Sequence, residues 1–222
     1  MKFLVLLPLF AALLVAGCGE KSLGDSAIKK ALKDAVNFES LKERNDLYYQ
    51  VSESEPFSGW AKSMYDSGQA ERLGRFKDGK WHGPFTAWHE NGQKAVEKTY
   101  KDGKADGLWT RWHKNGQKAA EGTDKDGKPN GPSTNWYDNG QKALEATWKD
   151  GKADGLWTWW RENGQKESEV TYKDGIPDGP NTKWHDNGQR KAEATYKGGA
   201  KVSAKYWNSK GEEVETAEEA RK

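Results

Sequence analysis

The stretch Gly83-Pro84-Phe85-Thr86-Ala87-Trp88-His89-Glu90-Asn91-Gly92-Gln93-Lys94-Ala95-Val96-Glu97-Lys98-Thr99-Tyr100-Lys101-Asp102-Gly103 decides the fold. From Pro84 to His89, apolar residues alternate with small or polar ones, and Glu90-Asn91-Gly92 breaks the pattern. Gln93 to Tyr100 is again β-compatible, and Lys101-Asp102-Gly103 breaks it a second time. Asn-Gly and Asp-Gly between short alternating runs are a strong hairpin signal, because these residues tolerate the positive φ of a tight turn. The stretch therefore reads as two strands and two turns.

The same phrase recurs at a 24-residue spacing. Gly59, Gly83, Gly107, Gly131, Gly155 and Gly179 are in step, as are Gly68, Gly92, Gly116, Gly140, Gly164 and Gly188. A unit of this kind cannot bury its apolar side alone and must stack on its neighbours. The expected fold is all-β: an elongated, single-layer antiparallel meander of six to seven hairpin repeats, with a short helix or hairpin capping its N-terminal end. Gly92, Gly116, Gly140, Gly164 and Gly188 are the expected structural turn positions.

Alignment of the repeats gives columns. Trp88, Trp112, Trp136, Trp160 and Trp184 share one, and Thr86, Thr110, Thr134, Thr158 and Thr182 lie two residues earlier on the same face. Phe76, Tyr100, Trp148, Tyr172 and Tyr196 form a second aromatic column, interrupted by Asp124. A three-residue Glu-Asn-Gly loop with its glycine in a bulge sets Trp88 opposite Lys94 and Thr86 opposite Val96; a two-residue loop reverses the faces. The longer loop is preferred because it gathers the tryptophans, Val96, Leu144, Val170 and the tyrosines on one side. Glu97, Glu121, Glu145, Glu169 and Glu193 then form a ladder on the other, and lysines over the tryptophans add cation–π attraction.

The phrase Gly79-Lys80-Trp81-His82-Gly83, an aromatic strand and Asn91-Gly92-Gln93-Lys94 resemble the MORN repeat, in particular its bacterial variant. The resemblance covers about residues 56–211. It implies a twisted sheet of hairpins and a role in protein interaction or membrane-associated scaffolding. Some bacterial members are antitoxins. Departures are Ser67 for Asn in the first repeat, Asp124 for an aromatic, and a residue lost in the last copy.

Met1-Lys2, the apolar run Phe3 to Val15 and Ala16-Gly17-Cys18 describe a secretory signal, too short to span a bilayer. Cys18 is the only cysteine, which excludes an internal disulfide. Val15-Ala16-Gly17-Cys18 resembles the lipobox of bacterial lipoproteins. That implies removal of residues 1–17, lipidation of Cys18 and membrane anchoring through acyl chains. Gly19 rather than Asp after the cysteine resembles an outer-membrane sorting signal. Residues 18–25 are expected to be a tether, 26–55 a capping region and 212–222 a polar tail. Within the cap, Asp25 or Ser26 starts a helix with Ile28, Leu32, Ala35 and Val36 on one face, and a hairpin turns at Arg44-Asn45-Asp46.

Without Lys2, 35 of the 36 Lys and Arg face 34 Asp and Glu, a mature net charge of +1. The charges alternate, so no basic field for nucleic acid exists. His89, His113 and His185 share a column interrupted by Tyr137 and Arg161. Neighbouring repeats are roughly 9.6 Å apart, an awkward spacing, without bending, for one zinc ion with nitrogens at about 2.0–2.1 Å. Asp124 and Asp126 lack further oxygen ligands for calcium, since Lys128 and Pro129 follow. No metal, cofactor or catalytic residue is expected. Phe85, Trp109, Trp157 and Trp159, on the face opposite the tryptophan column, are the candidate partner-binding residues, because exposed aromatics anchor interfaces. The expected role is a non-enzymatic, lipid-anchored interaction or scaffold module in the bacterial envelope, facing the periplasm and holding a protein partner. A glycan-binding module of the cell wall and an antitoxin or immunity protein are the alternatives.

Overall fold

Turn chemistry sets the register of every strand between the turns. In the structure, a computed structural model that describes residues 23–221, Asp102 sits at φ 49° and Gly103 at φ 85°. Two consecutive left-handed residues make the type I′ geometry, whose twist matches the flanking strands. The expected signal segment 1–17 and Cys18 lie outside the described residues. The Asn-Gly-Gln turns are one residue longer. His89 donates its amide to the Gln93 carbonyl, and Gly92 donates to the His89 carbonyl, both at 2.8 Å. The Asn91 side-chain oxygen accepts the Gln93 amide at 3.1 Å. This is the three-residue loop, and it pairs Trp88 with Lys94.

One step further the register shifts. Ala87 pairs with Val96 and Thr86 with Glu97, so Ala95 is an extra residue in its strand. The same shift recurs where Arg111 meets Ala120, Asn135 meets Leu144, Trp159 meets Ser168 and Lys183 meets Ala192. An added residue in a structure of period two turns the rest of the strand over. The expectation that Thr86 faces Val96 is therefore corrected. So is the division of faces: the glutamate ladder shares its face with the tryptophans, while Val96, Leu144, Val170 and the tyrosines lie on the other.

Hairpin follows hairpin in one sheet, each strand antiparallel to the next, from Gly59–Met64 and Ala70–Lys77 through Lys80–Trp88 and Lys94–Lys101 to Arg190–Lys197 and Ala200–Trp207. The repeats are also tied by side chains reaching 23 residues ahead. The Tyr65 hydroxyl donates to the Trp88 carbonyl (2.8 Å), the Tyr137 hydroxyl to Trp160 (2.7 Å) and the Arg161 guanidinium to Trp184 (3.0 Å). His89 and His113 contact the carbonyls of Trp112 (2.9 Å) and Trp136 (3.0 Å) through Nε2, which must carry the hydrogen, since a carbonyl only accepts. Asn91 and Asn115 donate their amides to the carbonyls of Lys114 (2.7 Å) and Asp138 (2.8 Å).

The N-terminal end is closed on both faces. The helix Asp25–Asp34 begins after Gly24, which makes no side-chain cap bond, so neither Asp25 nor Ser26 is the cap. Its Ile28 and Ala31 are buried on Leu73, with Leu23, Leu32, Trp60 and Trp88 around them. Leu23 is thus packed and not part of a free tether. The other face is covered by the hairpin Leu41–Arg44 and Leu47–Gln50, turned at Asn45 (φ 52°) and Asp46 (φ 61°). Tyr48 of this hairpin and Phe38 of the 3₁₀ turn Phe38–Ser40 before it pack, with Phe57, against Phe76 and Trp81. Val36 departs from the expected helix face. It joins the sheet edge beside Ala61, a parallel pairing in an otherwise antiparallel array. The Glu-rich end is not a solvated tail throughout. Glu213–Val214 pairs with Tyr206 and Trp207, and a 3₁₀ turn at Glu219–Arg221 buries Ala220.

Candidate functional site

The two faces of a one-layer sheet are its only large surfaces, and here they differ in charge. On the tryptophan face the bulge residue brings positions i and i+3 of one strand to the same side. Lys94 pairs with Glu97 (2.5 Å), Lys118 with Glu121 (2.6 Å), Lys142 with Glu145, Lys166 with Glu169 (2.5 Å) and Arg190 with Glu193 (2.7 Å). Lys118, Lys142 and Lys166 also lie 5.9, 5.8 and 5.7 Å from the ring centres of Trp136, Trp160 and Trp184, one repeat ahead. Each lysine therefore holds a carboxylate of its own repeat and a ring of the next. Beneath them Thr86, Thr110 and Thr158 are buried, while the tryptophans stay half-buried.

Phe85, Trp109, Trp157 and Trp159 lie on the opposite face, in register with the tyrosines. Phe85 packs edge-on to Trp81 (5.5 Å) and Tyr100 (6.1 Å), beside the cluster that the N-terminal hairpin covers. Trp109 lies over Gly122, where an added Cβ would stand 2.7 Å from the indole, and its indole acts on the Asp124 carboxyl. It makes no ring contact with Phe85 or Trp157 among the described residues. Trp157 and Trp159 do come together, at 5.6 Å between ring centres. Trp157 further meets Trp148 at 4.7 Å and Tyr172 at 5.4 Å, and its indole N–H donates to the Thr147 carbonyl at 3.1 Å. The four expected residues thus divide into one beside the covered cluster, one without an aromatic neighbour among the described residues and a pair within a larger cluster.

Trp148 and Tyr172 are the members that sequence reasoning missed, because the inverted register had assigned their column to the other face. The recurrent Lys-x-x-Glu spacing was the available signal, since such a pair shares a face only across a bulge. Around Asp124, which stands in the aromatic column, burial pushes the carboxyl above its ordinary value, while Lys98, the Trp109 indole and Arg111 pull it down. The histidine column serves the carbonyl ladder together with Tyr137 and Arg161. No group of three or more potential metal-ligating side chains occurs among the described residues.

A comparison with protein families matches the MORN repeat variant at residues 81–102, 105–123, 129–150, 153–174 and 177–197. No curated protein matches the chain. The Tyr65–Trp88 bond before the matched segment and the His185–Trp207 bond at its end (2.8 Å each) repeat the ladder found within it. The chain carries five consecutive repeats of the MORN variant, between residues 81 and 197.

Proposed function

We propose that this chain is a non-enzymatic, lipid-anchored interaction module of the bacterial envelope, holding a protein partner on the face that carries Trp157 and Trp159. The observation that carries the reading is the half-buried group Trp148, Trp157, Trp159 and Tyr172. At the first repeats the same face, with Phe76 and Trp81, is closed by the chain's own Phe38 and Tyr48. A sheet whose repeats are bonded from side chain to backbone carbonyl presents such a group with little loss of conformational freedom on binding. The anchor is Cys18, and the outer membrane, facing the periplasm, is the proposed location.

Changing Trp157 and Trp159 to Ser in the full chain should abolish crosslinked capture of an envelope protein while the β-sheet circular dichroism persists. Capture unchanged by this pair would overturn the aromatic-face reading. A fatty-acid probe should label the wild type and leave Cys18→Ala unlabelled; an unacylated protein cleaved elsewhere would remove the anchor. Half-exposed indoles also suit sugar stacking. Sedimentation with purified peptidoglycan, lost in the same Trp variant, would favour glycan binding instead.

A further inference from the structure

The aromatic face runs, at its C-terminal side, into a groove of about 480 Å³ between the last strands and the turn Glu219–Arg221. Lys183, Lys191, Lys201 and Arg221 line it, with the hydroxyl-bearing Tyr196 and Tyr206. None of the four cations forms an ion pair among the described residues. Glu167 is the carboxylate among the lining residues. Arg161 also lines the groove, but it is committed to the carbonyls of Lys166 and Trp184 and to Asp186. The opposite face shows the contrast, because Lys94, Lys118, Lys142, Lys166 and Arg190 there are each matched with a glutamate.

The spacing of the cations narrows the ligand. Lys183 stands opposite Ala192, and Lys201 stands opposite Tyr196. These partners are four residues apart on one strand, roughly 13 Å at about 3.3 Å per residue. Carboxylates spaced along an extended chain match this separation, whereas a single phosphate would require both lysine side chains to converge on it. Ser168 links the groove to the aromatic cluster, since it pairs with Trp159 on one side and Lys183 on the other. The chain's own acidic end does not occupy this role: Glu219 accepts the amides of Glu215 and Thr216, and Glu213 pairs with Lys205.

We propose that this groove takes an extended acidic peptide segment of the partner, with its carboxylates on the lysines and Arg221. This inference rests on the interaction-module reading and specifies its partner chemistry.

The test uses the full chain in detergent and a fluorescein-labelled octaglutamate, followed by fluorescence anisotropy. Saturable binding is expected, weakening as salt rises. Lys183→Glu with Lys201→Glu should weaken it at least about tenfold. Lys118→Gln with Lys142→Gln, on the opposite face, should stay within about twofold of wild type. Circular dichroism checks each fold, and Lys183→Gln with Lys201→Gln replaces the charge reversal if that variant unfolds. Absence of saturable binding, or equal losses in both pairs, would overturn the groove. So would equal competition by inorganic phosphate, which would mean a single-oxyanion site, or by phosphatidylglycerol vesicles, which would mean a lipid surface. Octaglutamate binding without any partner capture leaves the groove standing and removes the aromatic-face reading. Partner capture that depends on Trp157 and Trp159, without octaglutamate binding, removes the groove alone.

Discussion

At Gly122 the absence of a side chain decides how a tryptophan lies. Trp109 faces Gly122 across the strand pair, and a Cβ there would also stand 3.1 Å from the Ser133 Cβ. Gly122→Ala should therefore lift the indole away from the strand pair, destabilising by about 1–3 kcal/mol as overpacking does; urea unfolding followed by Trp fluorescence measures it. Asp124 adds a pH dependence. Its folded-state carboxyl titrates above the ordinary value, so the folded chain holds that proton more tightly than the unfolded one. The contribution is favourable in acid and is lost as pH rises from the ordinary Asp range through the raised value. Asp124→Asn should remove this decline. Its urea midpoint, relative to wild type, should rise between about pH 3 and neutrality. A constant difference over that range would show that Asp124 does not titrate differently on folding.

Within one hairpin, the turns were legible and the register was only half so. Asn-Gly-Gln and Lys-Asp-Gly announce positive φ by residue type alone, and Trp88 opposite Lys94 follows from the loop they make. The bulge at Ala95 is not marked by its own residue type, since alanine fits either face; its signal is the Lys94–Glu97 spacing around it, a pair that shares a face only across a bulge. That one residue moved Tyr172 and Trp148 beside Trp157, so half of the aromatic cluster was hidden from the sequence. The carbonyl ladder was hidden for a different reason. His, Tyr and Arg look unrelated as a column, yet each carries a donor that reaches the carbonyl 23 residues ahead. His113→Tyr should thus be tolerated, as Tyr137 already performs this role, whereas His113→Ala should cost about 1 kcal/mol by leaving the Trp136 carbonyl short of a donor. Equal midpoints in chemical denaturation for the two variants would contradict the ladder. Gly140 offers the matching test of a turn. At φ 83°, with a Cβ that would meet Gln117 Oε1 at 3.2 Å, Gly140→Val should destabilise by at least about 1 kcal/mol. Glu145→Gln removes only an exposed ion pair and should change thermal stability by no more than about 0.5 kcal/mol.

On the scale of the whole molecule, the ladder and the strand pairing both join each repeat to the one beside it, so stability is a sum over neighbours and the array has no central core to lose. Removing one full period should reconnect the ladders. Deletion of residues 106–129 joins Ala105 to Asn130, brings Trp136 to the place of Trp112, and lets His89 donate to its carbonyl. Deletion of residues 154–177 does the same with Ala153 and Asp178, and takes Trp157, Trp159 and Tyr172 with it. Both proteins should keep the β-sheet circular dichroism and a cooperative melt. Deletion of half a period, residues 106–117, places a turn where a strand must pair and should abolish that melt. The two full-period deletions then part ways in binding. The first retains the aromatic cluster and should still capture the partner, while the second, equally folded, should not. If both capture it equally, the repeats act as a uniform surface and the cluster around Trp157 is only packing. If the second deletion alone unfolds, that cluster is structural glue between repeats, and the binding surface lies elsewhere on the sheet.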